Sequence, residues 1–259
     1  MKLSDRKFVL NSTEMSSRSI YGWQPVWEAV SLHPSRIDAV YISEDLSSTK
    51  KAKIISLCKK AGVVFKQRPP VFFHRLASKE GQKIVHQGVM AVLKNFHYVR
   101  LEDLLKSKPD LILLLDHLQD PQNVGNIIRS AAAFGVKGII IPKDRSASIS
   151  PTVIKASAGM ALRLPIIRVT NLAQTISQLK KGGFWIVGTV SQEAQPIWEL
   201  PPDLPLALII GHEHKGISRL LREKCDFLVN IPLKEGVDSL NVANATAICL
   251  YEIWRKKLD

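Results

Sequence analysis

No two glycines stand two positions apart in this 259-residue chain, although it holds 14 of them. That absence removes the GxGxxG fingerprint of dinucleotide-binding folds, and GxxxxGK[ST] is missing too, so no nucleotide P-loop is present. The GxSxG elbow of serine hydrolases is also lacking. Cysteine is scarce. Cys58, Cys225 and Cys249 form no CxxC pair, which leaves neither a disulfide framework nor a zinc ribbon. Three thiols without such spacing read as buried side chains in a reducing cytoplasm. Long uncharged runs are missing as well. The longest stretch free of Asp, Glu, Lys and Arg is Ser239–Tyr251, 13 residues, against the roughly 20 a membrane span needs. The N-terminal residues carry no apolar core of signal-peptide length, which argues against export.

What the chain does have is an ordinary globular mixture, 46% apolar and 23% charged, which excludes a disordered or fibrous protein. Its charge is uneven. Residues 1–99 carry 16 basic and 7 acidic residues, a net of +9; residues 100–259 carry 20 and 16, a net of +4. A strongly basic segment beside a nearly balanced one suggests that the first part meets a polyanion, RNA or DNA. Membrane-surface binding would use a basic amphipathic helix, and none stands out.

The hydrophobic pattern alternates strand and helix. Ile37–Ser43 reads as a strand. Thr49–Ala61 reads as a helix with Ile54, Leu57, Cys58 and Ala61 on one face and Gly62 as its stop. Lys50, Lys51, Lys53, Lys59 and Lys60 either meet RNA or form a solvated helix face. Short strands follow at Val63–Lys66 and His86–Leu93, with a break at Arg68-Pro69-Pro70 and a domain exit across Asn95–Arg100. Beyond Leu101 the alternation is cleaner. Strands are expected at Leu111–Leu115, Val136–Ile141, Ile166–Val169, Phe184–Thr189, Leu206–Ile210 and Phe227–Ile231. Helices are expected at Asn123–Phe134, Pro151–Ala158, Leu172–Lys181, Ile217–Lys224 and Ser239–Lys257. Such alternation specifies a parallel α/β sheet.

In such sheets ligands sit beyond the carboxyl ends of the strands, and three polar stretches fall there. The first runs from Asp116 to Arg129. Asn123 is placed to cap a helix, and Asn126 and Arg129 share a helix face. The second is Gly211-His212-Glu213-His214-Lys215-Gly216, which is either a polar turn or a functional loop. Its histidines do not form HExxH and have no evident third partner, so no metal site is expected. The third is Ile231-Pro232-Leu233, followed by Ser239-Leu240-Asn241-Val242 at a helix start, where polar caps are ordinary. Ala243, Ala245 and Ala247 allow close packing of that helix.

Taken together and in this order, the three stretches resemble the motifs of the SPOUT class of RNA methyltransferases, in its SpoU/TrmH branch. N-x-G-x-x-x-R is matched by Asn123, Gly125 and Arg129. G-x-E-x-x-G is matched by Gly211, Glu213 and Gly216, and the last motif by Ile231–Leu233 with Ser239–Val242. PKDRSA at Pro142–Ala147, SAG at Ser157–Gly159, YGWQPVWEAV from Tyr21 and HQG at His86–Gly88 extend the likeness over nearly the whole chain. Within the branch it is most similar to bacterial enzymes that methylate a guanosine ribose in large-subunit (23S) rRNA. His214, where relatives often carry Gly, and Met160–Pro165, which follows SAG without the usual Glu, are departures from the pattern.

The resemblance implies a C-terminal parallel-sheet catalytic domain, residues 99–259, whose end threads a trefoil knot. It also implies a small α/β RNA-binding domain of ribosomal-protein type at 1–98. The cofactor would be S-adenosylmethionine, held by backbone groups at positions matching Thr189, Gly211, Ile231 and Leu240. Asn123, Arg129, Glu213, Ser239 and Asn241 would form the catalytic set. A guanidinium stays protonated, so Arg129 is expected to orient the ribose and stabilise the developing alkoxide rather than to act as a base. Glu213 would fix Arg129, the two asparagines would contact the nucleotide or hold Arg129, and Ser239 would donate to the substrate. The partners would be rRNA and a second copy of the chain, with neither membrane nor metal. A tRNA target, a non-catalytic RNA-binding protein and an enzyme for a small anion are the rival readings.

Overall fold

The structure, a computed structural model, describes residues 19–77, 85–94, 96–191, 194–201, 205–212 and 216–258, with backbone only at 74–77. Glu213, His214, Asn95 and the N-terminal residues considered above lie outside the described residues. The chain divides into two compact units, residues 1–96 and 97–259.

The first unit carries a four-stranded mixed sheet. Its elements are β1 (Ser19–Tyr21), α1 (Trp23–Leu32), β2 (Ile37–Ser43), α2 (Ser48–Ala61), β3 (Phe65–Arg68), α3 (Pro70–Ala77) and β4 (Val89–Leu93). The strand order is β1-β4-β2-β3, with β2 and β3 parallel and β4 antiparallel to both its neighbours. In α2, Ile54 and Cys58 are buried and Leu57 and Ala61 half-buried, as the periodicity expects. Gly62 ends the helix at φ 66°, the left-handed geometry a C-terminal glycine supplies. α3 was hidden by its prolines. Pro70 takes the first helical position, where its fixed φ and missing N–H fit, so the break at 68–70 is also a helix start. The next strand begins at Phe65 rather than Val63, because Val64 pairs only through its carbonyl, to Val40 N.

The second unit is built on a seven-stranded parallel sheet. It comprises α4 (Leu101–Lys106), β5 (Leu111–Leu115), α5 (Pro121–Ala133), β6 (Gly138–Pro142), α6 (Pro151–Ala156), β7 (Ile166–Val169), α7 (Leu172–Lys181) and β8 (Trp185–Thr189). Then come β9 (Gln195–Pro196), β10 (Leu206–Ile210), α8 (Arg219–Arg222), β11 (Phe227–Asn230) and α9 (Val242–Arg255). The strand order is β7-β6-β5-β10-β8-β11-β9, and every pairing is parallel. The late strands β10 and β11 slot between strands formed earlier in the chain, which places the ends of β8, β10 and β11 side by side. Every residue of LILLL, GIIIP and LALII is buried, as strands covered on both faces require. On one face α4, α7 and α8 contribute Leu101, Leu104, Leu172, Ile176, Leu179 and Leu221 to a common core with Ile112, Ile140 and Ile209. On the other, α5 packs against α6 and α9. The last helix starts at Val242 rather than Ser239, leaving 231–241 as an irregular loop. Among the described residues, no helix is long and apolar enough to cross a membrane.

Candidate active site

Three chain segments leave the carboxyl ends of β8, β10 and β11 and meet α9 around a cavity of about 370 Å³. Thr189, Gly211, Ile231, Leu240 and Ser239 all line it. Each segment is fixed locally. Thr189 Oγ1 donates to the carbonyl of Ile209 at 3.0 Å, which ties the end of β8 to β10. After β10, His212 and Gly216 exchange two backbone hydrogen bonds, each 2.9 Å. This closes a tight loop over Gly211. A Cβ on Gly211 would lie 2.1 Å from the backbone carbon of Gly216, so only glycine fits. Gly216 itself sits at φ +63°, where a side chain is strained. The paired glycines of the second motif are thus a matter of backbone approach.

The loop is anchored from β5. Asp116, only 2% exposed, accepts from the backbone N–H of Ser218 at 2.8 Å and holds His117 through its other oxygen. Asp116 N in turn donates to Ile210 O. Sequence reasoning placed Asp116 in the first motif without giving it this bracing role. The next loop is stitched in too, since Ala147 N and Ser146 Oγ both donate to Leu118 O. PKDRSA therefore braces the first motif. The SAG stretch is also architectural: Ser157 is buried, donates to Ile154 O and accepts from Ala161 N.

Asn123 is not the cap of α5, which is a correction to the sequence reading. Asp120 is the cap. Its carboxylate accepts from Gln122 N at 3.0 Å and Asn123 N at 3.2 Å, with Pro121 at the first helical position. A carboxylate competes well for that place, and the Asn123 side chain is turned to another task. It accepts from Asn241 Nδ2 at 3.1 Å. Asn241 is the cap of α9. The structure therefore brings Asn123 and Asn241 together, with Ser239 two residues before Asn241 on the cavity wall. Arg129 lies six residues beyond Asn123 on α5, exposed and with no hydrogen bond or ion pair among the described residues. Gly125 lets α5 approach α6, since a Cβ there would lie 2.3 Å from Ala156 Cβ. Glu213 lies outside the described residues.

Sequence reasoning missed several wall residues. Asp238 is the only carboxylate among the described lining residues, and its place beside Ser239 in the third motif was the available signal. Asn230 also lines the cavity, and its Oδ1 is buried with no hydrogen-bond partner among the described residues. Cys249 and Thr246 come from one face of α9. Burial pushes the Cys249 thiol up to about 12, so it stays protonated and is no nucleophile. Among the described residues, no three His, Cys, Asp or Glu side chains gather to hold a metal ion. A cavity whose described lining has one carboxylate, no Lys or Arg and a spare buried acceptor suits an organic ligand that carries donors and positive charge.

Comparison with known proteins finds relatives for both units. Residues 110–251 match the model of the SpoU rRNA Methylase family, and residues 19–99 match that of the RNA 2'-O ribose methyltransferase substrate-binding domain. A Staphylococcus aureus (strain COL) protein named for the TrmH family of tRNA/rRNA methyltransferases is 38% identical over 251 residues, 95% of this chain and 98% of that one. YacO of Bacillus subtilis (strain 168), named for the same family, is 38% identical over 84% of this chain and 88% of its own. The fold is shared with the SpoU methyltransferase AviRb of Streptomyces viridochromogenes, solved in complex with AdoMet. It aligns at a TM-score of 0.76 and 24% identity, covering 95% of this chain and 92% of that one.

Proposed function

The chain belongs to the SpoU rRNA methylase family, and from that premise we propose that it carries a methyl group from S-adenosylmethionine to a ribose 2′-hydroxyl of RNA. The proposed target is a guanosine of large-subunit rRNA. The observation that carries the cofactor assignment is the convergence of Thr189, Gly211, Ile231 and Leu240 on one cavity. When bound, S-adenosylmethionine supplies a methyl group activated by a sulfonium. Of the lining residues, Asp238 would offset the sulfonium's positive charge, and Asn230 Oδ1 would take a donor from the ligand, recovering the cost of a buried acceptor left unpaired. The backbone at Gly211, on the cavity wall, would help hold the cofactor.

On the RNA side, Arg129 orients the ribose and stabilises the charge that grows on its 2′-oxygen or on the adjoining phosphate. Asn123 and Asn241, held by each other, place a polar wall beside it. Ser239 donates to the substrate, and Glu213 fixes Arg129. The basic first unit grips RNA chiefly through phosphates. The same reading includes a trefoil knot in the C-terminal loops and a homodimer joined through the second unit.

The deciding experiment is transfer of tritium from labelled S-adenosylmethionine to protein-free total RNA from cells lacking this protein. Labelled products are mapped by nuclease digestion and mass spectrometry. A 2′-O-methylguanosine in large-subunit rRNA is the expected outcome. Label in tRNA would keep the enzyme class and overturn the target. Absence of both label and cofactor binding would overturn the enzyme reading.

A further inference from the structure

The sheet of the first unit presents one rim that carries cations laid over aromatic rings at both ends. The register defines the rim. Arg68 pairs with Ser43 in the β2–β3 ladder, Ser43 N donates to Gly88 O at 2.8 Å, and Gly22 N donates to Val89 O at 3.3 Å. The carboxyl ends of β1, β2 and β3 and the start of β4 therefore share an edge roughly 14 Å long, three strand spacings.

At one end Trp23 follows Gly22. Its N–H donates to Gln87 Oε1 at 2.8 Å, which joins the YGW and HQG stretches that the catalytic reading leaves without a task. Trp23 stacks on Trp27 with centroids 5.6 Å apart, and Lys50 Nζ lies 5.6 Å from the Trp23 centroid. At the other end the Arg68 guanidinium lies 5.9 Å from the centroids of both Tyr41 and Phe72. The four rings are only half-buried, and Lys50 and Arg68 are exposed. Half-buried aromatic rings with a cation at Trp23 and another shared by Tyr41 and Phe72 present both halves of a nucleotide site: stacking for the base and charge for the phosphate.

Charge favours one class of ligand. Residues 46–99 contain eleven Lys or Arg and a single acid, Glu80. The acids on the rim, Glu44 and Asp45, stand between its ends, where Ser43 Oγ donates to Asp45 and Lys51 Nζ donates to the Glu44 carbonyl. Carboxylates there would repel phosphates, which leaves the two cation–ring pairs as the places for them. A duplex keeps its bases stacked inside and would offer these rings no face.

Resting on the reading that RNA is the substrate, we propose that this rim binds unpaired nucleotides, with bases on Trp23 and on the Tyr41–Phe72 pair and phosphates on Lys50 and Arg68. The site holds a looped or unfolded strand a few nucleotides long.

The test uses the full chain and fluorescence anisotropy with a labelled, unstructured oligouridylate and a labelled RNA duplex. The expected result is tighter binding of the single strand. Trp23→Leu and Phe72→Leu should each weaken it on the order of tenfold, with little change for the duplex. Arg68→Ala, an exposed and fold-neutral change, should lower the single-strand affinity and reduce the log–log salt slope by about one. S-adenosylmethionine binding, followed by calorimetry, should be unchanged in all three variants. Equal binding of single strand and duplex by the wild type, or wild-type affinity and salt slope in Arg68→Ala and Trp23→Leu, would overturn the proposal. If that happens while the wild type still methylates RNA, only this rim assignment falls. If the wild type neither binds nor methylates RNA, the functional reading falls with it.

Discussion

Asn241 Nδ2 donates to Asn123 Oδ1 at 3.1 Å, joining residues 118 apart in the chain. The side-chain Oδ1 of Asn241 meanwhile accepts from Ala243 N at 2.9 Å and Asn244 N at 3.4 Å. Both ends of one amide are committed, so a single side chain caps α9 and ties it to the start of α5. Asn241→Ala should therefore cost about 1 kcal/mol for the lost cap. The tie adds about 0.5 kcal/mol, the low end for a hydrogen bond that solvent can reach. Asn123→Ala should lose the tie and keep the α9 cap. Urea unfolding of the two single variants and the double variant should show a coupling of about 0.5 kcal/mol. Fully additive losses would show that the tie carries no energy.

Arg129 contrasts with that pair, being exposed and without a partner among the described residues. Surface residues of this kind usually change stability by less than about 0.5 kcal/mol when truncated. If Arg129 acts only on the transition state, Arg129→Ala should unfold like the wild type and bind S-adenosylmethionine normally. Its rate of methyl transfer should fall about 10²–10³-fold, the usual cost of losing one donor to a developing oxyanion. Arg129→Lys should rescue little, since the planar fork is not replaced. Wild-type turnover in Arg129→Ala would reduce the residue to a solvated surface charge.

The parts of the architecture that were legible in the sequence are those governed by burial on both faces. LILLL, IIRV, LALII and the helix Leu172–Lys181 stand as the pattern placed them. The misses have local causes. Pro69 and Pro70 read as a break, yet Pro70 opens α3. The two-residue strand β9 is too short to carry a period. Asp120 outcompeted Asn123 for the cap because two carboxylate oxygens can serve two N–H groups at once. In the cavity, Thr189, Gly211, Ile231, Leu240 and Ser239 were legible through motifs. Asn230, Asp238, Thr246 and Cys249 were not, because strand order sets their convergence and one-dimensional spacing does not encode it.

Gly211 and Gly216 should respond differently to the same change. A methyl group on Gly211 meets the Gly216 backbone at 2.1 Å, which no side-chain adjustment relieves. Gly211→Ala should open the loop, so that cofactor binding falls below detection in calorimetry while most of the fold survives. At Gly216 no described residue comes within 4 Å of an added Cβ, and the positive φ is what opposes a side chain. Gly216→Ala should cost about 1 kcal/mol and leave measurable cofactor binding. Equal behaviour of the two variants would argue against the tight loop as the cofactor's floor.

The buried thiol in the cavity wall gives a pH signature. Burial pushes Cys249 up from the ordinary 9.0 to about 12. A folded-state value above the unfolded one means that the unfolded chain loses its proton first as pH rises. The stability contribution is thus intact below about 9 and is lost between about 9 and 12. Unfolding midpoints followed from neutral to alkaline pH should fall beyond pH 9 more steeply in the wild type than in Cys249→Ala. At neutral pH the native thiol should resist alkylating reagents. Rapid native-state modification of Cys249 would show that this side of the cavity opens in solution.

Helix α9 presents an apolar face that the described residues leave uncovered. Ile248, Tyr251 and Trp254 are 42%, 48% and 36% exposed, and Phe134 of α5 packs against the last two rings. Large aromatic side chains gathered on one surface stripe usually mark a contact, and helix–helix contact between copies would bury all four. On the homodimer reading, Ile248→Glu with Tyr251→Glu should convert a dimer into a monomer in size-exclusion chromatography with light scattering. The two charges sit at exposed positions, so the monomer should keep its fold by circular dichroism. A wild type that elutes as a monomer at micromolar concentration would remove the dimer from the proposed function. A double variant that stays dimeric would move the interface to another face.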